Sequence, residues 1–190
     1  MRKRQLDLFF AELDRSLGQP AVIILTGAGA GSLMGHIRPS LDIDFEIRLK
    51  NPSKRNKLRL AKILREVSGR LGTAVNFSED IGHWSMISFL DYRRTALPYR
   101  RFGKLTVKLM APAYWTIGKM ARFYELDIQD MIKVIRKQRL KPDQLLRIWK
   151  RALAASPLSR ELGQFKEHVN YFLKTYGRKL WGKSGRPPLL

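Results

Sequence analysis

Two carboxylates at alternate positions, Asp42 and Asp44, follow a Gly-Ser pair, Gly31-Ser32, after an interval of nine residues. That spacing can do chemistry. On a strand, residues i and i+2 point the same way, so the two carboxylates stand on one face with Cα atoms about 6.6 Å apart. Hard oxygen donors so placed can share Mg²⁺ or Mn²⁺, which keep several waters and fill the rest of the shell with substrate phosphate oxygens. Upstream, a Gly-Ser turn at the start of a short helix exposes backbone N–H groups and a hydroxyl where the negative charge of a triphosphate is favoured. Carboxylates for metal and amides for phosphate suggest metal-assisted nucleotidyl transfer with an NTP as substrate.

Such a site needs one strand to deliver the Gly-Ser pair and another to carry the aspartates. Residues 21–25 (AVIIL) are short, branched and apolar, and they read as a buried strand running into the Gly-rich stretch 27–32. Residues 41–49 alternate Leu41, Ile43, Phe45, Ile47 and Leu49 against Asp42, Asp44, Glu46 and Arg48, as a half-buried strand with an acidic outer face does. A helix over 3–17 precedes them. A basic helix from residue 53 to about 71 follows, with Leu58, Leu60, Ala61, Ile63, Leu64 and Val67 available to face the sheet. Residues 73–77, 84–90 and 104–110 supply three more strands. From Pro112 the period changes to that of helices, at 112–124, 128–139, 142–155 and 159–176. The expected fold is α/β, more closely α+β: a mixed sheet with flanking helices over 1–111, a helical part over 112–176 and a disordered basic tail over 177–190.

Two other phosphate loops fail on their residues. A dinucleotide-binding fingerprint starting at Gly27 needs Gly where Ser32 stands, and one starting at Gly29 needs Gly where Met34 stands. Residues 177–184 match the P-loop expression, but they follow a helix and lead into Gly-Arg-Pro-Pro, which cannot open the required helix. His36 lies beside the Gly-Ser pair but is an isolated loop histidine.

The run from Leu25 through Gly27-Ala-Gly-Ala-Gly31-Ser32, Gly35 and Arg38-Pro-Ser-Leu-Asp42-Ile-Asp44 resembles the DNA-polymerase-β-like nucleotidyltransferase superfamily. Its Arg-x-Ser-x-Asp-x-Asp is closest to the minimal branch that includes nucleotidyltransferase toxins of abortive-infection toxin–antitoxin systems. A second block, from Ile117-Gly-Lys119 through Arg122 to Asp127 and Asp130, is similar to that branch as well. The resemblance covers about residues 20–139. It implies a nucleotidyltransferase-like fold in which Gly31, Ser32, Arg38 and Lys119 hold the nucleotide and Asp42 and Asp44 ligate the metal. It also implies a third carboxylate from a later strand, for which Asp91 is the first choice, with Glu79 and Asp80 behind it. Glu46 shares the right face but stands about 13 Å along the strand from Asp42, too far to join one metal. Asp127 and Asp130 are open between a site role and the start of a helix, where an acid caps or favours the dipole.

Charge names the partner. Of 190 residues 37 are basic and 16 acidic, a net +21. The first fifty residues hold 7 basic and 6 acidic side chains, so nearly the whole surplus falls later. A hydrophobic fraction of 44% is too apolar for a disordered polybasic tail, so this surplus sits on a packed protein and implies a polyanionic partner, most often nucleic acid, with an anionic membrane or an acidic protein as alternatives; the resemblance narrows the nucleic acid to RNA. Tyr92-Arg-Arg, Tyr99-Arg-Arg-Phe102 and Trp149-Lys-Arg place rings beside cations, as a grip on phosphates and unpaired bases requires. With no Cys, thiol nucleophiles, disulfides and thiolate metal sites are excluded. The longest apolar run is strand-sized, and Asp7, Glu12 and Asp14 interrupt any signal-peptide core, so no membrane segment and a cytoplasmic location are expected. The expected activity is transfer of an NMP from an NTP to RNA, such as a tRNA 3′ end, with an acidic antitoxin protein as a second partner. A protein acceptor, and a catalytically silent RNA-binding module of the same fold, are the alternatives.

Overall fold

The computed structural model describes residues 2–35, 38, 39 and 41–182. Two compact units share the chain, one of residues 1–33, 38–81 and 95–110, the other of residues 34–37, 82–94 and 111–190. The class is α+β, with a five-stranded mixed sheet and eight α-helices among the described residues.

In the first unit, apolar residues at three- and four-residue intervals make α1 (Lys3–Leu17), which Gly18 ends in the left-handed region at φ 67°. The AVIIL run is the middle strand β1 (Ala21–Leu25). The Gly-rich stretch folds as α2 (Gly27–Gly35) and leads to β2 (Asp42–Leu49), antiparallel to β1. Ser53 Oγ accepts a hydrogen bond from the Asn56 N–H to open α3 (Lys54–Leu71), and β3 (Ala74–Ser78) returns parallel to β2. The hairpin β4 (Leu97–Phe102) and β5 (Leu105–Leu109) completes the order β3-β2-β1-β5-β4, with β5 parallel to β1.

Aromatic packing aims the acidic strand. The Phe9 and Phe10 rings of α1 each lie 6.1 Å from the Phe45 ring, and all three side chains are fully buried. Each such burial contributes about 1.5–3 kcal/mol. With Ile43, Phe45 and Ile47 committed to this core, alternation sends Asp42, Asp44 and Glu46 to the opposite face of β2. Glu46 is nevertheless fully buried, its Oε2 accepting the Ile81 N–H at 3.3 Å, where alternation alone foresees a solvated acid. On α3 the residues Leu60, Ile63, Leu64 and Val67 are buried as expected, whereas Leu58 is exposed.

The second unit contains α5 (Pro112–Arg122), α6 (Glu125–Lys137), α7 (Pro142–Ala155) and α8 (Arg160–Trp181), with α5 packed on the other three. Trp149 is fully buried, donates to Thr116 Oγ1 at 3.0 Å and meets the edge of Phe172. The last helix runs on through Gly177 to Trp181, whose indole N–H donates to the Leu140 carbonyl at 2.9 Å. The expected tail is thus helical for its first five residues, and residues 183–190 lie outside the described part. No described helix is long and apolar enough to cross a membrane.

The strand expected over 84–90 does not form. A 3₁₀ turn (Ile81–Trp84) and irregular chain lead instead to the short helix α4 (Tyr92–Thr95). Ile87 and Phe89 are buried at alternate positions as in a strand, but serine hydroxyls take the backbone donors: Ser85 Oγ accepts the Ile87 N–H and Ser156 Oγ the Ser88 N–H. Conversely β4 is a strand without the alternation of one. It is an edge strand with a register shift between Pro98 and Arg100, and its arginines are exposed.

Candidate nucleotide and metal site

The parallel pairing of β3 with β2 sets Asn76 beside Asp44. Its Nδ2 donates to Asp42 Oδ2 at 3.0 Å and to Asp44 Oδ1 at 2.9 Å, so the two carboxylates converge on one point. The Thr26 N–H donates to the Asp44 carbonyl at 2.9 Å and fixes the chain where β1 gives way to α2. The next residue, Gly27, turns there with φ 58°, and its α-carbon comes up against the Asp44 carboxylate. A strand, a glycine turn, a helix start and two carboxylates are thereby assembled within one unit.

Gly31 and Ser32 are not at the helix start. They lie on the second turn of α2, Gly31 buried and Ser32 bonded through Oγ to the Gly29 carbonyl at 2.8 Å. The Ala30 N–H donates to the Thr26 carbonyl, which makes Gly27, Ala28 and Gly29 the residues of the leading turn. The left-handed φ at Gly27 lets the helix begin four residues earlier than the Gly-Ser pair suggests. Gly27 and Asn76 are the two site residues that sequence reasoning missed. For Gly27 the signal was present, as the first glycine after the apolar strand. For Asn76 only the strand pairing reveals it. Arg38 is exposed in the same unit, and His36 lies outside the described residues.

The other expected site residues belong to the second unit. Lys119 is 3% exposed and donates to Asp127 Oδ1 at 2.8 Å and to Asp130 Oδ2 at 2.9 Å, with the Trp115 ring 5.3 Å away. Arg122 adds a two-pronged contact to Asp127 at 3.1 and 3.0 Å. Burial pushes the Asp127 carboxyl up, but hydrogen bonds from Arg122 and Lys119, reinforced by their charges, outweigh it and hold the group below its ordinary range. Neither aspartate caps α6, whose N-cap is Tyr124 without a side-chain bond. Asp91 stands before α4 with φ 44°, and Arg151 donates to it at 2.8 Å. That bond, together with the charge of Arg94, keeps its carboxyl below the usual value. Of the other carboxylates considered, Glu79 pairs with Lys57.

Among the described residues no group of three or more His, Cys, Asp or Glu is placed to hold a metal. What the first unit offers is two carboxylate oxygens converging on one nitrogen of Asn76, with the amide oxygen of the same residue as a further hard donor. Comparison with protein-family models, curated proteins and solved structures returned no match.

Proposed function

We propose that the protein is a nucleotidyltransferase that moves an NMP from an NTP to an RNA acceptor, such as a tRNA 3′ end. The observation that carries this reading is the convergence of Asp42 and Asp44 beside Gly27, at a turn from strand to helix. Asp42 and Asp44 would hold Mg²⁺ or Mn²⁺, which when bound supplies positive charge for the polyphosphate. The leading turn of α2 presents backbone N–H groups where phosphate is favoured. In the transfer, an acceptor hydroxyl oxygen bonds to the α-phosphorus, the bond from the α-phosphorus to the bridging oxygen breaks, and pyrophosphate leaves. The hydroxyl proton passes to a base.

Exposed cations support RNA as the acceptor. The first unit carries Arg55, Arg59, Lys62 and Arg65 along α3, and the second carries Lys133, Arg136, Lys137 and Arg139 at and beyond α6. Distributed surfaces of this kind bind a phosphate backbone with little regard to sequence.

The test is incubation with each NTP labelled at the α-phosphate, Mg²⁺ and total tRNA. Label is expected in RNA, and Asp42→Ala and Asp44→Ala should abolish it. Transfer that survives both substitutions would sink the site assignment. One observation favours a second reading, a catalytically silent RNA-binding module: the side chain between the aspartates is an amide and not a third carboxylate. RNA binding with no transfer to RNA or protein from any NTP would support it.

A further inference from the structure

The elbow between α7 and α8 leaves apolar surface uncovered. A groove of ≈ 590 Å³ opens there, lined by Leu153 and Ala154 of α7, Leu158 of the connection and Leu162 of α8. Leu158 is 97% exposed, and a Cβ added at the nearby Gly163 would meet nothing within 4 Å. Leu158 thus adds an open aliphatic side chain to the apolar residues that line the groove. The rim is cationic, with Lys150 on the α7 wall and Lys166 on the α8 wall. Residues 145–170 hold five basic and two acidic side chains.

We propose that this groove receives an acidic amphipathic helix of a partner protein. A groove between two helices accepts apolar side chains spaced i, i+3/i+4, i+7, and a cationic rim selects acids on the flanks of that helix. RNA fits poorly, because the lining is aliphatic and offers no ring on which a base could stack. A second copy of this chain would set Lys150 and Lys166 against cations in a protein of net +21. The proposal does not depend on nucleotidyl transfer, since it uses none of the residues named for that site.

Fluorescence anisotropy on the full chain tests it, with an 18-residue helical peptide bearing leucines at heptad a and d positions and glutamates elsewhere, and a twin with lysine for every glutamate. The glutamate peptide should bind saturably, and Leu158→Asp should weaken it about tenfold or more. Leu158 is exposed, so circular dichroism of this variant should show an unchanged fold. The double variant Lys150→Glu/Lys166→Glu should lose the glutamate peptide and gain the lysine twin. Equal binding of the two peptides, no binding of either, or binding that ignores Leu158→Asp would overturn the proposal. So would a Leu158-dependent dimer, or Leu158-dependent capture by phosphatidylglycerol vesicles that the glutamate peptide fails to displace.

Discussion

A Cβ placed on Gly27 would stand 1.8 Å from Oδ2 of Asp44 and 2.7 Å from its Cγ. Glycine is therefore required here twice over, by the carboxylate pressed against it and by a φ of +58° that costs other residues about 1–2 kcal/mol. Gly27→Ala should lower the thermal midpoint and displace the Asp44 carboxylate, and with it abolish the proposed nucleotidyl transfer. Gly29→Ala is the control, because its Cβ would meet nothing nearer than 3.5 Å and alanine favours a helix by up to about 1 kcal/mol. Thermal unfolding of both variants checks this, and equal midpoints would remove the steric argument.

Asn76 hydrogen-bonds both aspartates through one nitrogen, so it reports on whether the point between them receives a cation. Asn76→Asp replaces that donor with a third negative charge. Without divalent cation the variant should melt below the wild type, since like charges in contact repel. Added Mn²⁺ should raise its midpoint more than that of the wild type, because a ligand bound only by the folded state stabilises it in proportion to RT ln(1 + [L]/Kd). Identical Mn²⁺ responses in a melting titration would mean that no cation binds beside Asn76.

The elements whose apolar period is unbroken were legible from the residues: α1, β1, β2 and the four helices after Pro112. Errors arose where backbone hydrogen bonds went to partners that no local pattern encodes. The segment over 84–90 has the alternation of a strand, yet Ser85 and the distant Ser156 take its donors. The Asp-x-Asp pair was legible because its two-residue period and the apolar partners Ile43 and Phe45 lie in one strand. Asn76 was not, because its place beside Asp44 depends on the register of two strands joined through an 18-residue helix. For Lys119 the resemblance implied a nucleotide contact, whereas the structure has Asp127 and Asp130 close on it and bury it, a pairing that no local pattern encodes.

That closure gives Lys119 a measurable structural role. Lys119→Met removes the cation shared by two carboxylates that are each 3% exposed at the side chain. Stranding buried charge in this way costs about 3–5 kcal/mol, whereas replacing a whole buried cluster with apolar residues is often nearly neutral. Urea unfolding should therefore show Lys119→Met far less stable than the triple variant Lys119→Met/Asp127→Leu/Asp130→Leu. If the single and triple variants are equally destabilised, the loss is one of packing and not of unpaired charge.

The exposed cations on α3 make a separate prediction about RNA. On the proposed reading that the protein binds RNA, substituting Arg55, Arg59 and Lys62 by glutamine should weaken binding to RNAs of different sequence by similar factors. It should also flatten the dependence of log K on log salt by about 0.7 per lost phosphate contact on a single strand. A filter-binding salt series measures both. Weakening confined to one RNA sequence, with an unchanged slope, would show that these side chains read bases and not phosphates.

The Asp127 carboxyl contributes to the acid sensitivity expected of the second unit. Its folded value is held below the ordinary 3.8 by Arg122 and Lys119, against the upward push of burial. A group whose folded pKa is depressed contributes stability that is fully present above the unfolded value and disappears as pH falls through the folded one. The wild type should thus hold its stability down to about pH 5 and lose this contribution below about pH 4. In Asp127→Asn the carboxylate is absent at every pH, so its stability deficit relative to the wild type should be largest near neutrality and shrink on acidification. Urea midpoints of the two proteins between about pH 7 and about pH 2 measure that difference. A deficit that stays constant across the range would place the effect of Asp127 in packing and leave its charge without a role.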